Sequence, residues 1–285
     1  MRFVHSLYTL PIFTERNNIS PMDNIHATIW NYAISLTCLK KLGQEVVLYT
    51  DDLGYRMLSF LPYDEIHLIL NNIPEKYDMM WACGKFYAMQ NEPLDSIHID
   101  GDVFILNESC LNNILSFKNS DFDLLIQDIE PDPSYVYEMY LKKFVELPKE
   151  LTTLNIDKSN DSCNVGIISF NNQELKNEYF LLYFSILEKV HTSNIKEFYD
   201  KHKDFIIDLI PEQYFLWKIC ENKYKIQTLI DFHYRNEAHL MDGYHHNIGL
   251  DKFDKHLNSV LQKRFKSFDK ESYLLVQNFL NVFSL

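Results

Sequence analysis

A chain of 285 residues, 46% hydrophobic and 24% charged, can bury a sizeable core and has the composition of a globular domain. Its formal net charge of −13 argues against a general nucleic-acid binder, since phosphate backbones would be repelled, though a divalent cation could still invert the local charge for a small phosphorylated ligand. Glycine is scarce, at 7 residues, and neither G-x-G-x-x-G nor a P-loop occurs, so glycine-rich phosphate loops are not the main device. The five cysteines (Cys38, Cys83, Cys110, Cys163, Cys220) are scattered and never spaced C-x-x-C, which fits thiols in a reducing cytosol better than disulfides or a zinc site. Residues 1–10 lack a signal-peptide core and no apolar run approaches a membrane span, so the expectation is a cytoplasmic protein.

In chain order, Arg2 to Ile12 reads as a first strand ended by Pro11. Asp23 or Asn24 could cap a helix carrying Ile25, Ile29, Trp30, Ala33 and Leu36, with Gly43 placed to stop it. Glu45 to Thr50 is a continuously apolar strand, as expected when both faces are covered, and it empties into Asp51 and Asp52. A strand, a long helix and a strand ending in acids begin a doubly wound sheet. Asp64 to Leu70 is another strand, and Met79 to Gln90 a helix bearing Trp81, Lys85, Phe86 and Met89. Asn112 to Phe117 is a short helix, Asp123 to Gln127 a strand, and Asp128 to Pro133 an acidic loop. Tyr135 to Phe144 reads as helical and Glu146 to Ser162 as irregular. Asn164 to Phe170 is a strong strand; Asn171 to Lys203 is helix-rich; Pro211 opens a helix through Ile219; Thr228 to Phe232 is a last strand. Glu237 to Asn247 carries His239, His245 and His246, and Leu250 to Phe268 is amphipathic, with Phe253, Leu257, Leu261 and Phe265 on one side. No repeat is present, and one domain (1–247) with a helical tail packed on it (248–285) accounts for the pattern.

The chain is organised around Ser96 to Leu106. Ile97, Ile99, Val103 and Ile105 mark a short buried strand interrupted by Asp100-Gly101-Asp102. Unpaired charges are expensive to bury, so acids breaking a core strand need a partner, and a cation is the obvious one. Glycine between them would admit a backbone conformation that other residues resist. A solvated Asp-Gly turn with helix-capping acids is the alternative.

The order of features resembles the GT-A glycosyltransferases, especially the retaining glycogenin-like and lipopolysaccharide galactosyltransferase-like group, over roughly residues 1–247. A helix lysine (Lys85) precedes a strand ending in D-x-D (Asp100-Gly101-Asp102); then come Asn164-Val165-Gly166, with Cys163 where the family has an aromatic residue, and Glu212-Gln213 for the family's D-Q or E-Q. Last is a histidine near a glycine, His239-Leu240-Met241-Asp242-Gly243, with one residue more than H-x-x-G and no Lys-Pro-Trp after it.

The resemblance implies a fold: α/β, an open mixed sheet of Rossmann-like GT-A type flanked by helices, with the helical tail. It also implies a function, metal-dependent transfer of a hexose from a UDP-sugar to a saccharide or glycolipid acceptor, with retention of configuration as the family's property. Carried over, Asp102 and His239 hold a Mn²⁺ (or Mg²⁺) ion and Asp100 is shared between metal and donor; His245 and His246 are the other candidates for the third ligand. Oxygen ligands with one imidazole suit such ions. Tyr8, Thr9, Thr50 and Asp51, at the ends of the first two strands, would meet the uridine; Lys85 the phosphates; Asn164 and Gln213 the sugar and acceptor; Gly101 and Gly166 belong to the donor-binding set, with Asp100, Asp102 and Gln213 as the catalytic set. Ordinary readings stand beside these: core packing for Tyr8, a solvated helix lysine for Lys85, a turn residue for Asn164, a buried hydrogen-bonded side chain for His98.

Residues 251–270 hold six basic and three acidic side chains, opposite to the chain as a whole. Such a helix can lie on an anionic membrane, which a lipid-linked acceptor would use, on the inner face of the membrane; packing on its own domain is the plainer reading. Two further readings compete with the transferase. One is a non-catalytic nucleotide-sugar binding module; the other is a sugar nucleotidyltransferase, against which the glycine-free Leu10–Asn18 segment counts.

Overall fold

The fold is described from a computed structural model, which covers residues 2–13, 21–77, 80–131, 161–192, 208–231, 243–247 and 254–283. Side-chain alternation decides the layering. In β1 (Phe3–Leu7) and β2 (Val46–Thr50), Val4, Val47 and Tyr49 point into one core, while Phe3, Val46 and Leu48 point into another. Strands apolar on both faces need helices on both faces.

Helix α1 (Pro21–Lys41) links the two strands and ends at Gly43, whose φ of 72° lies in the left-handed region that glycine tolerates. Helix α2 (Asp52–Leu58) follows, then β3 (Glu65–His67), α3 (Cys83–Gln90) and β4 (Ile97–Ile99). Next come β5 (Val103–Ile105), α4 (Glu108–Ser116), β6 (Leu124–Glu130), β7 (Ser162–Phe170) and α5 (Gln173–Thr192). A π-turn over Ile210–Tyr214 runs into α6 (Phe215–Cys220) and β8 (Ile226–Thr228). The described chain closes with β9 (Tyr244–His246), α7 (Lys255–Phe268) and α8 (Lys270–Val282).

Among the described residues, seven strands form one sheet in the order β3-β2-β1-β4-β7-β6-β8. Every pairing in it is parallel except those of β7, which runs antiparallel to both β4 and β6. The protein is therefore α/β, an open mixed sheet flanked by helices with a helical C-terminal segment. From β1 the chain builds outward to β2 and β3, then crosses back to add β4 on the other side. Ligands of such sheets gather where the strand order reverses, beyond the carboxyl ends of the strands. That crevice lies beyond β1 and β4.

The expected single strand over Ser96–Leu106 is two strands in different sheets. β4 belongs to the large sheet, whereas β5 pairs antiparallel with β9 in a separate two-stranded ribbon. The Asp-Gly-Asp turn is the hinge between them. The expected Asp128–Pro133 loop is also corrected, because Asp128 to Glu130 continue β6 against β7. The first and third strands are shorter than expected; Leu10–Phe13 and Ile69–Asn72 form 3₁₀ turns. The helix expected over Tyr135–Phe144, together with Phe253 and His239, lies outside the described residues.

Helices α7 and α8 pack on α1. Trp30 meets the rings of Phe265 and Tyr273 at 6.3 and 5.4 Å, Phe60 stacks on Phe279 at 3.9 Å, and Lys41 pairs with Asp269 at 3.1 Å. Of the expected apolar stripe, Phe265 is buried while Leu257 stays exposed. No helix among the described residues is long and apolar enough to cross a membrane. None of the five cysteines is in a disulfide; burial pushes the Cys38 and Cys220 thiols up to about 12, which makes them packing groups, not nucleophiles.

Candidate metal centre and its surroundings

Where β4 ends, the Asp100 backbone N–H donates to Gly166 O at 2.8 Å, and Val103 N–H donates to Asp100 O at 3.0 Å, closing a turn around Gly101. Gly101 is not in the left-handed region, so the expectation of an unusual backbone conformation fails there. Space is the reason for glycine: an added Cβ would lie 2.3 Å from the Tyr32 ring, which is tied by its hydroxyl to Ser6 O at 2.5 Å. Gly101→Ala is therefore expected to cost about 1–3 kcal/mol of overpacking strain. Urea unfolding monitored by tryptophan fluorescence checks this; an unchanged midpoint would mean the ring yields freely.

After the turn, β5 carries Val103 directly opposite His246 of β9, and Asn247 N–H donates to Asp102 O at 2.9 Å. One ligand atom each from Asp100, Asp102 and His246 lies within 4.8 Å of the others. The imidazole is fixed from behind. Gln127 Oε1, fully buried, accepts from Tyr244 Oη at 2.5 Å and faces His246 Nδ1 at 2.7 Å. Gln127 Oε1 can only accept, so His246 Nδ1 is the donor in that contact, and Nε2 on the far side of the ring lies 3.4 Å from Asp102 Oδ1. Either a proton or a cation fits between that nitrogen and the carboxylate. Two carboxylates and one imidazole suit Mn²⁺ or Mg²⁺, so these residues fit such an ion.

Gly166 makes this contact possible. The pairing register shifts between Ile126 and Asp128, leaving a bulge in β7 opposite Gln127. An added Cβ on Gly166 would lie 2.6 Å from Gln127 Oε1 and 2.8 Å from His246 Cε1. The glycine of Asn164-Val165-Gly166 thus has a steric reason.

Lys85 is buried, not solvated. Its Nζ donates to Glu212 Oε1 at 2.6 Å and to Val165 O at 3.1 Å, and pairs with Asp100 Oδ1 at 2.9 Å. Burial opposes its charge, but the two carboxylates outweigh burial and raise its pKa. Burial raises Glu212 and Asp100 above their ordinary values, with Lys85 pulling against it and, at Asp100, Asp102 adding to it. Glu212 Oε2 is buried with no hydrogen-bond partner. Lys85 is thus shared between two carboxylates, Asp100 and Glu212. Glu212 sits on the π-turn, a distortion frequent at functional sites, with half-buried Gln213 beside it.

Other expected donor contacts are occupied internally. Asp51 caps α2: its carboxylate accepts from Gly54 N–H at 2.8 Å, Thr9 N–H at 2.7 Å and the Thr9 hydroxyl at 2.8 Å. Thr50 Oγ1 donates to Leu7 O at 2.8 Å, and buried Tyr8 packs its Cβ against Gly84. Asn164 is buried, donating to Glu130 Oε1 at 3.1 Å and accepting from Gly166 N–H at 3.1 Å. His98 is buried beneath the turn, its Nε2 at 2.8 Å from Ser6 Oγ. Gln127 and Tyr244 were given no role by the sequence, and Glu212 entered only as half of a motif. A glutamine flanked by Leu125, Ile126 and a strand partner rich in isoleucine is the signal that could have marked Gln127.

None of the curated proteins searched matches this chain. Among solved structures, the crystal structure of mouse xyloside xylosyltransferase 1 in its apo form is similar at a TM-score of 0.38 and 13% identity, over 80% of this chain and 84% of that one. The family is shown independently of that likeness. A model covering residues 1–279, and so both the Asp-Gly-Asp turn and the β9 strand that faces it, places the chain in the family of unknown function DUF6734.

Proposed function

We propose that the chain is a metal-dependent glycosyltransferase of GT-A type, moving a hexose from a UDP-sugar to a saccharide or lipid-linked saccharide acceptor. The observation that carries this reading is the Asp100–Asp102–His246 group at the switch point of the sheet, its three ligand atoms within 4.8 Å of one another. Glycosyl transfer from a nucleotide sugar releases a diphosphate, and a bound Mn²⁺ or Mg²⁺ supplies the Lewis acid that neutralises it. Asp102 and His246 would hold the ion, in place of the His239 that the motif order favoured. Asp100 would contribute one oxygen to the ion while its other contacts, to Lys85, fix its orientation. Gln213, next to Glu212, is the residue proposed to meet the sugar and acceptor. Retention of configuration, and the division into a transferase unit (1–247) and a packed tail (248–285), are parts of the same proposal.

Melting temperature tests the reading. UDP and Mn²⁺ together should stabilise the protein by about 2.7 kcal/mol at a free ligand concentration 100-fold above Kd, and UDP alone by much less. No shift with the pair would sink the proposal. Hydrolysis of a UDP-sugar panel then separates an enzyme from a binding module: a shift without turnover of any donor identifies the module.

A further inference from the structure

We infer that Gln127 is the positioning residue that selects the metal-binding tautomer of His246, an inference that rests on the proposed metal centre. Left alone, a neutral imidazole with Nε2 3.4 Å from the Asp102 carboxylate would place its proton on that nitrogen and donate to Asp102. The ring would then have no lone pair for an ion, and Asp102 would be occupied as well. Gln127 reverses the preference by offering an acceptor to Nδ1 at 2.7 Å.

Gln127 can act this way because its own orientation is forced. Its Nε2 donates to Asp128 Oδ2 at 3.0 Å, so the amide oxygen must point the other way, toward Tyr244 and His246. A flipped amide would set oxygen against the Asp128 carboxylate and nitrogen against the imidazole. The side chain is fully buried, so water does not compete for it. The β7 bulge at Gly166 leaves the room in which the two groups meet. A hydrogen bond to the far nitrogen of a ligating histidine is the general device for orienting such rings and making them better ligands, and its loss typically costs 10–100-fold in metal affinity.

The inference is tested by reading the tautomer and the affinity separately. In metal-free wild-type protein labelled with ¹⁵N-histidine, at a pH where the ring is neutral, the His246 shifts should be those of the Nδ1–H form. In Gln127→Met, which keeps length but removes the acceptor, the proton should move to Nε2, and Mn²⁺ affinity measured by electron paramagnetic resonance should fall about 10–100-fold. Gln127→Leu, a second side chain without an acceptor, should give the same Nε2–H ring. Tyr244→Phe removes the other hydrogen bond to Gln127 and should leave the tautomer unchanged. An Nε2–H ring in wild type, or identical tautomer and affinity in Gln127→Met, overturns the inference. Should Gln127→Met fail to fold, the wild-type spectrum and Gln127→Leu still decide it. Absence of Mn²⁺ binding by wild type would overturn the proposed function instead, while the metal-free spectrum continues to judge Gln127.

Discussion

Asp102→Asn is expected to weaken Mn²⁺ binding by at least about 100-fold, since losses confined to the groups behind a metal ligand already reach that figure. The same change should leave the metal-free protein as stable as wild type, or slightly more so. Asp102 adds to the pressure that keeps the Asp100 carboxyl above its ordinary value, and a neutral amide removes that repulsion. Function and stability thus move in opposite directions, which separates loss of a ligand from loss of the fold. Titration of Mn²⁺ by electron paramagnetic resonance, beside thermal melting without metal, checks both halves. Unchanged affinity would place any bound ion elsewhere.

The second large effect is on stability. Lys85→Met leaves Glu212 and Asp100 in a buried setting without their ammonium, and breaking a buried pair by removing one partner typically costs about 3–5 kcal/mol. For a chain of this size that is a fall in Tm of about 6–20 °C. The deficit depends on pH, with a definite sign. Burial already raises the folded-state pKa of Glu212 and Lys85 restrains it, so removing Lys85 raises it further. A carboxyl raised in the folded state stabilises the protein below its unfolded pKa, and that contribution disappears as the pH rises through the folded value. The variant should therefore lag wild type most at pH 8 and less at pH 5. Adding Glu212→Gln should recover part of the loss, because the buried charge goes with its partner. A deficit that stays constant from pH 5 to 8 would show that packing, not charge, sets it.

The large sheet was readable because its strands announce themselves. Val46 to Tyr49 is apolar without interruption, and Asn164 to Phe170 is nearly so; such runs mean two covered faces whatever the partner. The Asp100-Gly101-Asp102 break was readable for the complementary reason, since charge in a β-branched run has few places to go. The histidine opposite it was harder. His246 reaches Asp102 through the pairing of β5 with β9, a long-range register that local spacing does not contain, and the motif order pointed to His239. Lys85 looked like a solvated helix residue because one lysine per helix usually is. Its neighbours Cys83, Phe86, Ala88 and Met89 are all buried, and the helix meets solvent only along Tyr87 and Gln90, so Lys85 lies on an inward side. Gly101 shows the limit of residue-type reasoning: the type was right, but its cause is a tyrosine ring from α1, not the backbone.

The position of β9 has a consequence for biosynthesis. All seven strands of the large sheet are present once translation has passed Thr228, whereas the partner of β5 arrives only with Tyr244 to His246. A polypeptide still emerging from the ribosome can thus hold every described strand of that sheet before it holds the imidazole proposed to complete the metal site.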